Sequence, residues 1–466
     1  MLLTIVGVIN AILHLVIWLA SLFLLGSFNS GGHKIMLLGY FYLDALSAFM
    51  IFTSATIAFA AALYSISFIR TDYNLKKISR NKGLFYYLLF NLFVASMFLV
   101  PVINNLGLLW VAIELTTLIS SFLVGFYNTK HSVEAAWKYL IICSVGITLA
   151  LFGTIIFAYA MNLASGINSF NWTELLAYSG KLDPNLVKAA FIFILIGYGT
   201  KAGLAPMHTW LPDAHSQAIS PISALLSGVL LKISLYAILR FGIIVVKCCG
   251  WSFYPNLMLI FGLFSLAVAA IFIIVQKDIK RLLAYSSIEH LGLISIGIGL
   301  GSDLAIFAAL LHLFGHAITK SLMFFGAGKV AQTYNSHELK DISGVSRVLP
   351  ATGIALLIGA LALIGFPPGS IFISELLLVI SAISSRNYFT AGALLFFLAI
   401  IGGAILFHFG KVIFGKPPEK ELSPNESPGL VLTYVFLIVM IIGLGIFVPT
   451  IFRHSILSAV AVIKGI

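Results

Sequence analysis

Apolar runs of roughly 20 residues, the length that crosses about 30 Å of hydrocarbon as a helix, recur from one end of the chain to the other between short polar stretches. A transmembrane barrel would alternate apolar and polar residues instead, so helices are the expected spans. Thirteen are read, at 2–26, 36–69, 84–104, 106–127, 137–161, 185–215, 220–247, 253–275, 281–300, 303–330, 348–384, 389–414 and 430–451, or fourteen if the N-terminal region holds one more. The longest polar segment, 162–184, is too short for a soluble domain. The 2–26 run lacks a small-residue cleavage site and more spans follow it, so it reads as a retained helix and not a removed leader.

Two spans are interrupted. YGTKAGLAPMHTWLPDAHS (198–216) places Lys201 at the end of an apolar run and follows it with Pro206 and Pro212. Proline lacks an N–H and its ring clashes with the preceding turn, so this span breaks near 201–206. LALIGFPPGSIFISELLLV (361–379) repeats the arrangement with Pro367 and Pro368 followed by Glu375, a break near 366–369. Non-helical backbone at membrane depth survives only where it is buried or lines a cavity. The groups freed at the first break are expected to bind water around the Lys201 ammonium, which loses hydration there and can exchange protons near neutral pH. Paired interrupted segments point to inverted repeats around a mid-membrane ion site. The expected fold is an all-α polytopic membrane protein with two inverted five-helix repeats, each containing a broken helix. N-terminal helices fill 1–83, the repeats 84–247 and 253–414, and a C-terminal helix 430–466.

Composition agrees, since 60% of the 466 residues are hydrophobic and 9% charged, too few polar residues to surface a water-soluble fold. The formal net charge of +11 raises nucleic acid as a partner, but position decides against it. Fifteen of the 27 Lys and Arg residues fall in alternate loops, in 70–83, at Lys130 and in 276–281, 329–347 and 411–428, against seven on the opposite side. That asymmetry puts the N-terminus and the basic loops in the cytoplasm, with no nucleic acid implied. Cys143, Cys248 and Cys249 show no C-x-x-C spacing, and the chain has no P-loop, dinucleotide fingerprint or cofactor set, so no catalytic or redox centre is read on it.

Five basic residues remain inside the spans, Lys138, Lys201, Lys232, Arg240 and Lys320, with Asp44, Glu114, Glu289 and Glu375 among the acids. Each costs about 2.5–3.5 kcal/mol near mid-bilayer even on the lenient insertion scale. Arg240 and Asp44, near span ends, read as structural: snorkelling ends or a buried ion pair. Lys201, Lys232, Glu114 and Lys320 lie too deep to snorkel and read as functional. Glu134 and Lys138 stand four apart, so Lys138 reads equally as half of a surface pair or as a charge acting on Glu114. HLFGHAITKSL sets His312, His316 and Lys320 on one helical face, and His290 stands beside Glu289 on the preceding span. This suits a proton relay. Structural histidines, or a metal or haem site, are the alternatives. Against metal, the glutamate of H-E-x-x-H is missing and no acidic third ligand is near in sequence.

The stretches ELTTLIS, AAWKYL, TKAGLAPMHTWLPDAHS, SSIEHLG, LLHLFGHAITKSLMFFGAGKV and FPPGSIFISELLL together resemble one family, and the likeness covers most of 40–415. It is the antiporter-like, proton-conducting membrane subunits of respiratory complex I, multisubunit cation/proton antiporters and membrane-bound nickel–iron hydrogenases, with the wording closest to the large hydrogenase-type subunit. The resemblance implies that Glu114 is the acid of the first half and Lys201 its partner lysine. It makes Lys232 the link between halves, His316 and Lys320 the centre of the second, and Glu375 the terminal group. It implies a subunit with no cofactor of its own, in a prokaryotic cell membrane, beside other membrane subunits and a peripheral redox arm whose partners carry [NiFe] and Fe–S clusters. The chain has one span fewer than is usual there and stops without a long lateral helix. The expected function is proton translocation driven by a membrane-bound hydrogenase, along a pathway of Glu114, Lys138, Lys201, Lys232, Glu289, His290, His312, His316, Lys320 and Glu375. The alternatives are a Na⁺/H⁺ antiporter subunit, a subunit of an NADH- or ferredoxin-linked quinone oxidoreductase, and a membrane anchor whose buried charges only specify assembly.

Overall fold

The computed structural model describes residues 1–28, 34–419, 422 and 424–465, so Lys420 of the basic 411–428 loop lies outside the described residues. The apolar runs fold as helices. The first unit of chain gives α1 (Leu2–Ser27), a short hairpin of β1 (Ile35–Leu37) and β2 (Phe41–Leu43), α2 (Ala45–Asn74) and α3 (Arg80–Leu99). Then follow α4 (Leu106–Val124), α5 (Lys130–Ser165), α6 (Trp172–Tyr178), α7 (Pro184–Ala202), α8 (Trp210–Gln217), α9 (Ser220–Leu225) and α10 (Leu231–Cys249). The later chain gives α11 (Phe253–Ile274), α12 (Ile279–Leu300), α13 (Asp303–Tyr334), α14 (Val345–Val348), α15 (Pro350–Leu363), α16 (Ser370–Ser384), α17 (Tyr388–Phe414), α18 (Pro428–Ile446) and α19 (Thr450–Lys464). Among the described residues, twelve helical stretches are long and apolar enough to cross a membrane, and the shorter pair α15 and α16 accounts for the thirteenth expected span. The chain is a multi-pass membrane protein.

Polar residues at the loop–helix junctions explain where the helices start. Side chains of Asp44, Ser79, Asn105, Thr129, Asp278, Ser302 and Ser427 each accept an N–H from the first turn that follows. Asp44 also explains a difference from the expected 36–69 span. Its carboxylate caps α2 through Ser47 N at 3.0 Å, and the preceding residues turn through left-handed Leu38 and Gly39 into the hairpin. At the other end the expected 430–466 helix is two helices, because Pro449 separates α18 from α19. The expected continuous span over 220–247 contains a π-helical turn at Leu226–Leu230 between α9 and α10.

Both expected breaks are present. Gly203, left-handed at φ 78°, ends α7, and Gly365, at φ 67°, follows α15. The backbone freed at the first break is satisfied by protein: Ala205 N donates to Ser265 Oγ at 2.9 Å, and Trp210 Nε1 donates to Thr200 O at 2.8 Å.

All residues from Ser220 to Val246 are buried, as are nearly all of α12 and α13, whereas α1, α5, α11, α17 and α18 turn a large share of their surface outward. Glycine sets one inner seam. A Cβ on Gly262 of α11 or on Gly292 of α12 would stand 2.8 Å from the other's carbonyl oxygen, so the two backbones touch there.

Arg240 and Asp44 are structural, as expected for charges near span ends. Arg240 grips Asp44 with two hydrogen bonds of 2.7 Å, adds Ser47 Oγ at 2.9 Å and Tyr236 OH at 2.8 Å, and lies 4.6 Å from the Trp172 ring centroid. The cluster ties α2 to α10 and to the 172–178 helix. Asp44→Ala strands a buried guanidinium and is expected to destabilise the protein by about 3–5 kcal/mol. The reading is a fall in the thermal unfolding midpoint of the purified protein, largely reversed by adding Arg240→Met; an unchanged midpoint would contradict it.

On the loop side, His337 O accepts Ile279 N at 3.0 Å and Lys277 O accepts Leu339 N at 2.8 Å, which staples the 335–341 loop to the start of α12. Burial, helped by the charges of Lys280 and Lys77, pushes the His337 imidazole down to about 3. A histidine lowered in the folded state contributes fully above its ordinary value of about 6.5, and that contribution is lost as pH falls from there toward about 3. Amide protection factors of Ile279 and Leu339 are therefore expected to fall over that window, and to stay level in His337→Phe.

Candidate functional site

Besides the Arg240–Asp44 cluster, two polar clusters bring the sequence-predicted residues together within the bundle. In the first, the ELTTLISS stretch of α4 places Glu114, Thr117 and Ser120 three residues apart, on one face toward α5 and α7. Glu114 accepts Ser144 Oγ at 2.7 Å and Thr117 Oγ1 at 3.2 Å. The fully buried Lys201 ammonium donates to Thr117 Oγ1 and to Tyr139 OH, each at 2.7 Å, and Tyr139 OH meets Ser120 Oγ at 2.7 Å. No direct ion pair joins Glu114 and Lys201 among the described residues; the Thr117 hydroxyl stands between them. The expected charge pair is therefore a relay of carboxylate, hydroxyl and ammonium.

The second cluster occupies the most buried helices. The π-helical turn brings Ser227 O within reach of Lys232 Nζ, which also contacts His316 Nδ1 at 2.6 Å. The His316 ring lies 4.6 Å from that of His290 on α12. His290 Nδ1 meets His312 Nε2 at 2.9 Å, and His312 Nδ1 meets Ser374 Oγ of α16 at 2.9 Å. The row runs from Lys232 across α13 and α12 to α16, next to Glu375. One turn beyond His316, Lys320 Nζ donates to Leu283 O at 2.7 Å and to Ser286 Oγ. Glu289 Oε2 and Glu375 Oε1 are buried without a hydrogen-bond partner.

Lys138 stands apart. It is half exposed, ion-paired to Glu134 at 2.7 Å and Asp213 at 3.4 Å, with Arg281 on Asp213 at 2.6 Å. The i, i+4 surface pair is the outcome, and the reading of Lys138 as an interior charge acting on Glu114 is corrected: its position on α5 faces the loop-side surface network. The three cysteines are free thiols.

Several participants escaped sequence reading. Thr117, Tyr139, Ser144, Ser286 and Ser374 are common residues whose role comes from neighbours on other helices; only the ELTTLISS spacing signals any of them. His215 of α8 is buried, has no hydrogen-bond partner on either ring nitrogen, and stacks on Phe324 at 4.8 Å. It stands within electrostatic reach of Lys320, Lys280 and Lys232. Its signal was its place at the end of the proline-broken segment. Asp72, near the end of α2, accepts Tyr127 OH at 2.5 Å and Gln332 Nε2 at 2.9 Å and lines a cavity of about 360 Å³ with Lys77, Lys280 and His337.

The profile of the "NADH:quinone oxidoreductase/Mrp antiporter, TM" family matches residues 103–402. A hydrogenase-4 component F homolog of Methylacidiphilum infernorum is 39% identical over 443 residues, covering 95% of this chain and 91% of that protein. A chain of the membrane-bound sulfane sulfur reductase, an archaeal respiratory membrane complex, superposes with a TM-score of 0.86 at 24% identity, over 99% of this chain and 94% of that one. A chain of the Mrp complex from Dietzia sp. does so with a TM-score of 0.86 at 19% identity, over 99% and 93%. At these identities the two structures share the fold.

Thr117→Val removes the hydroxyl between Glu114 and Lys201 at nearly constant volume. It leaves the buried ammonium short of an acceptor and is expected to cost about 1–3 kcal/mol of stability, with Thr117→Ser close to wild type in the same thermal unfolding measurement.

Proposed function

We propose, from the premise that this chain belongs to the NADH:quinone oxidoreductase/Mrp antiporter transmembrane family, that it is the proton-conducting membrane subunit of a redox-driven complex of the hydrogenase type. The observation that carries the reading is the row Lys232, His316, His290, His312 and Ser374, joined by contacts of 2.6 Å and 2.9 Å and by tilted imidazoles whose centroids lie 4.6 Å apart inside the bundle. An imidazole takes a proton on one nitrogen and gives one from the other, so a file of three passes charge without moving far. Lys232 and Lys320 at one end and Glu375 at the other supply groups that store it.

The Glu114, Thr117 and Lys201 relay serves as the loading site of the first half. Thr117 accepts from the ammonium and donates to the carboxylate, so a proton leaving Lys201 has a hydrogen-bonded way to Glu114. A change of charge next to α4 acts on this relay through a low-dielectric interior, where Coulomb interactions are several times stronger than in water. His215, on α8 beyond the first break, faces the Lys232–Lys320 region. The redox chemistry belongs to partner subunits that carry [NiFe] and Fe–S centres. The halves 84–247 and 253–414 act as two repeats, a reading supported by one broken span and one titratable group beside each break. The complex sits in a prokaryotic cell membrane with the basic loops and the N-terminus on the cytoplasmic side, as the charge bias of the loops supports.

The test is proton movement by the intact complex in sealed vesicles, driven by its electron donor. Lys201→Ala and Lys320→Ala are expected to lower it by about two orders of magnitude while the complex stays assembled, and Lys138→Ala to leave it unchanged. Wild-type pumping in both variants would defeat the reading, and uptake of sodium in place of protons would assign the ion differently.

A further inference from the structure

Two imidazoles and one carboxylate converge at the far end of the histidine row. His290 of α12, His312 of α13 and Glu375 of α16 each bring one ligand atom to within 4.8 Å of the other two. Sequence gave no acidic third ligand near the histidines; the fold supplies one from the second broken span. Donor atoms are free here: His290 Nε2, Glu375 Oε1 and, one turn along α13, His316 Nε2 have no hydrogen-bond partner. A buried polar atom without a partner costs about 1–3 kcal/mol, so a ligand that uses these lone pairs is favoured.

The donor set decides the class of ion. Mg²⁺ and Ca²⁺ take oxygen cages. Imidazole with a carboxylate suits Zn²⁺ and its neighbours among the divalent transition ions, and three protein ligands leave the fourth tetrahedral position open for exchange. Bonds of about 2.0–2.2 Å require the three donors to draw closer than they stand, a change that side-chain torsions provide. Glu375 is the least buried of the three at 8% exposure, and its carboxylate lies against the Gly365 backbone at the break between α15 and α16.

We infer that His290, His312 and Glu375 form a binding site for Zn²⁺, and that its occupation arrests ion movement. Ligation takes the nitrogen lone pair through which His290 and His312 meet, and it pins α12, α13 and α16 together. The arrest rests on the ion-route reading given above; the binding does not.

The intact purified complex, equilibrated with Zn²⁺ and dialysed, is expected to hold one more zinc per copy of this chain than its Glu375→Ala variant. X-ray absorption of that zinc is expected to show a nitrogen and oxygen shell without sulfur. Loss of the ligand should weaken binding by more than the about 10–100-fold typical of losing a supporting partner. Glu375→His, which removes the same carboxylate but restores a ligand, is expected to keep the zinc. Equal zinc in wild type and Glu375→Ala, or its loss from both variants while the complex stays assembled, would overturn the site. Zinc bound at wild-type stoichiometry with proton movement undiminished would overturn the arrest and leave the site standing.

Discussion

Inside hydrocarbon no water is available to complete a hydrogen bond, so each backbone and side-chain polar group must find its partner within the chain. The structure is organised by that constraint. Its most buried helices, α9–α10, α12 and α13, carry most of the deep charge. The first broken span hands freed backbone to Ser265 and to Trp210, and each break turns through a left-handed glycine, Gly203 or Gly365.

The same constraint sorts the buried cations into two kinds. Arg240 has a carboxylate held by two short hydrogen bonds, a hydroxyl, a phenol and an aromatic wall. Such a group cannot change its charge without stranding Asp44, and it acts as a rivet. Lys201, Lys232 and Lys320 are bound by hydroxyls, backbone carbonyls and an imidazole, with no carboxylate in contact. Losing a proton from any of them strands no charged partner, as loss of charge at Arg240 would. That contrast separates architecture from chemistry more sharply than depth alone.

Much of this was legible in sequence because span length, proline and charge are read directly. The thirteen runs, both breaks, the surface pair of Glu134 and Lys138, and the common face of His312, His316 and Lys320 follow from periodicity and composition. What was not legible depends on neighbours distant in sequence. Thr117 standing between Glu114 and Lys201, and Glu375 arriving beside His290 and His312, are products of helix packing that no local spacing announces. The hairpin at 35–43 was hidden by its apolar residues, which read as more helix, and the division at Pro449 by the short run beyond it. The second reading of Lys138, as a charge acting on Glu114, arose because the apolar run starts at 137 whereas the helix begins earlier, at Lys130.

The π-helical turn at Leu226–Leu230 holds one residue more than an α-helix would use, and it sits between two sets of contacts with different azimuths. Upstream, Ser223 is fixed to the carbonyl of His215; downstream, Lys232 faces His316 and Arg240 faces Asp44. Removing the surplus residue would rewind that stretch to 3.6 residues per turn and rotate everything beyond it by about 100°, so that ammonium and rivet both lose their addresses. The central rod is thus keyed like a spline: its two ends agree only while the extra residue is present, and the length of this segment is as much a determinant of where Lys232 and Arg240 point as the identity of any side chain along it.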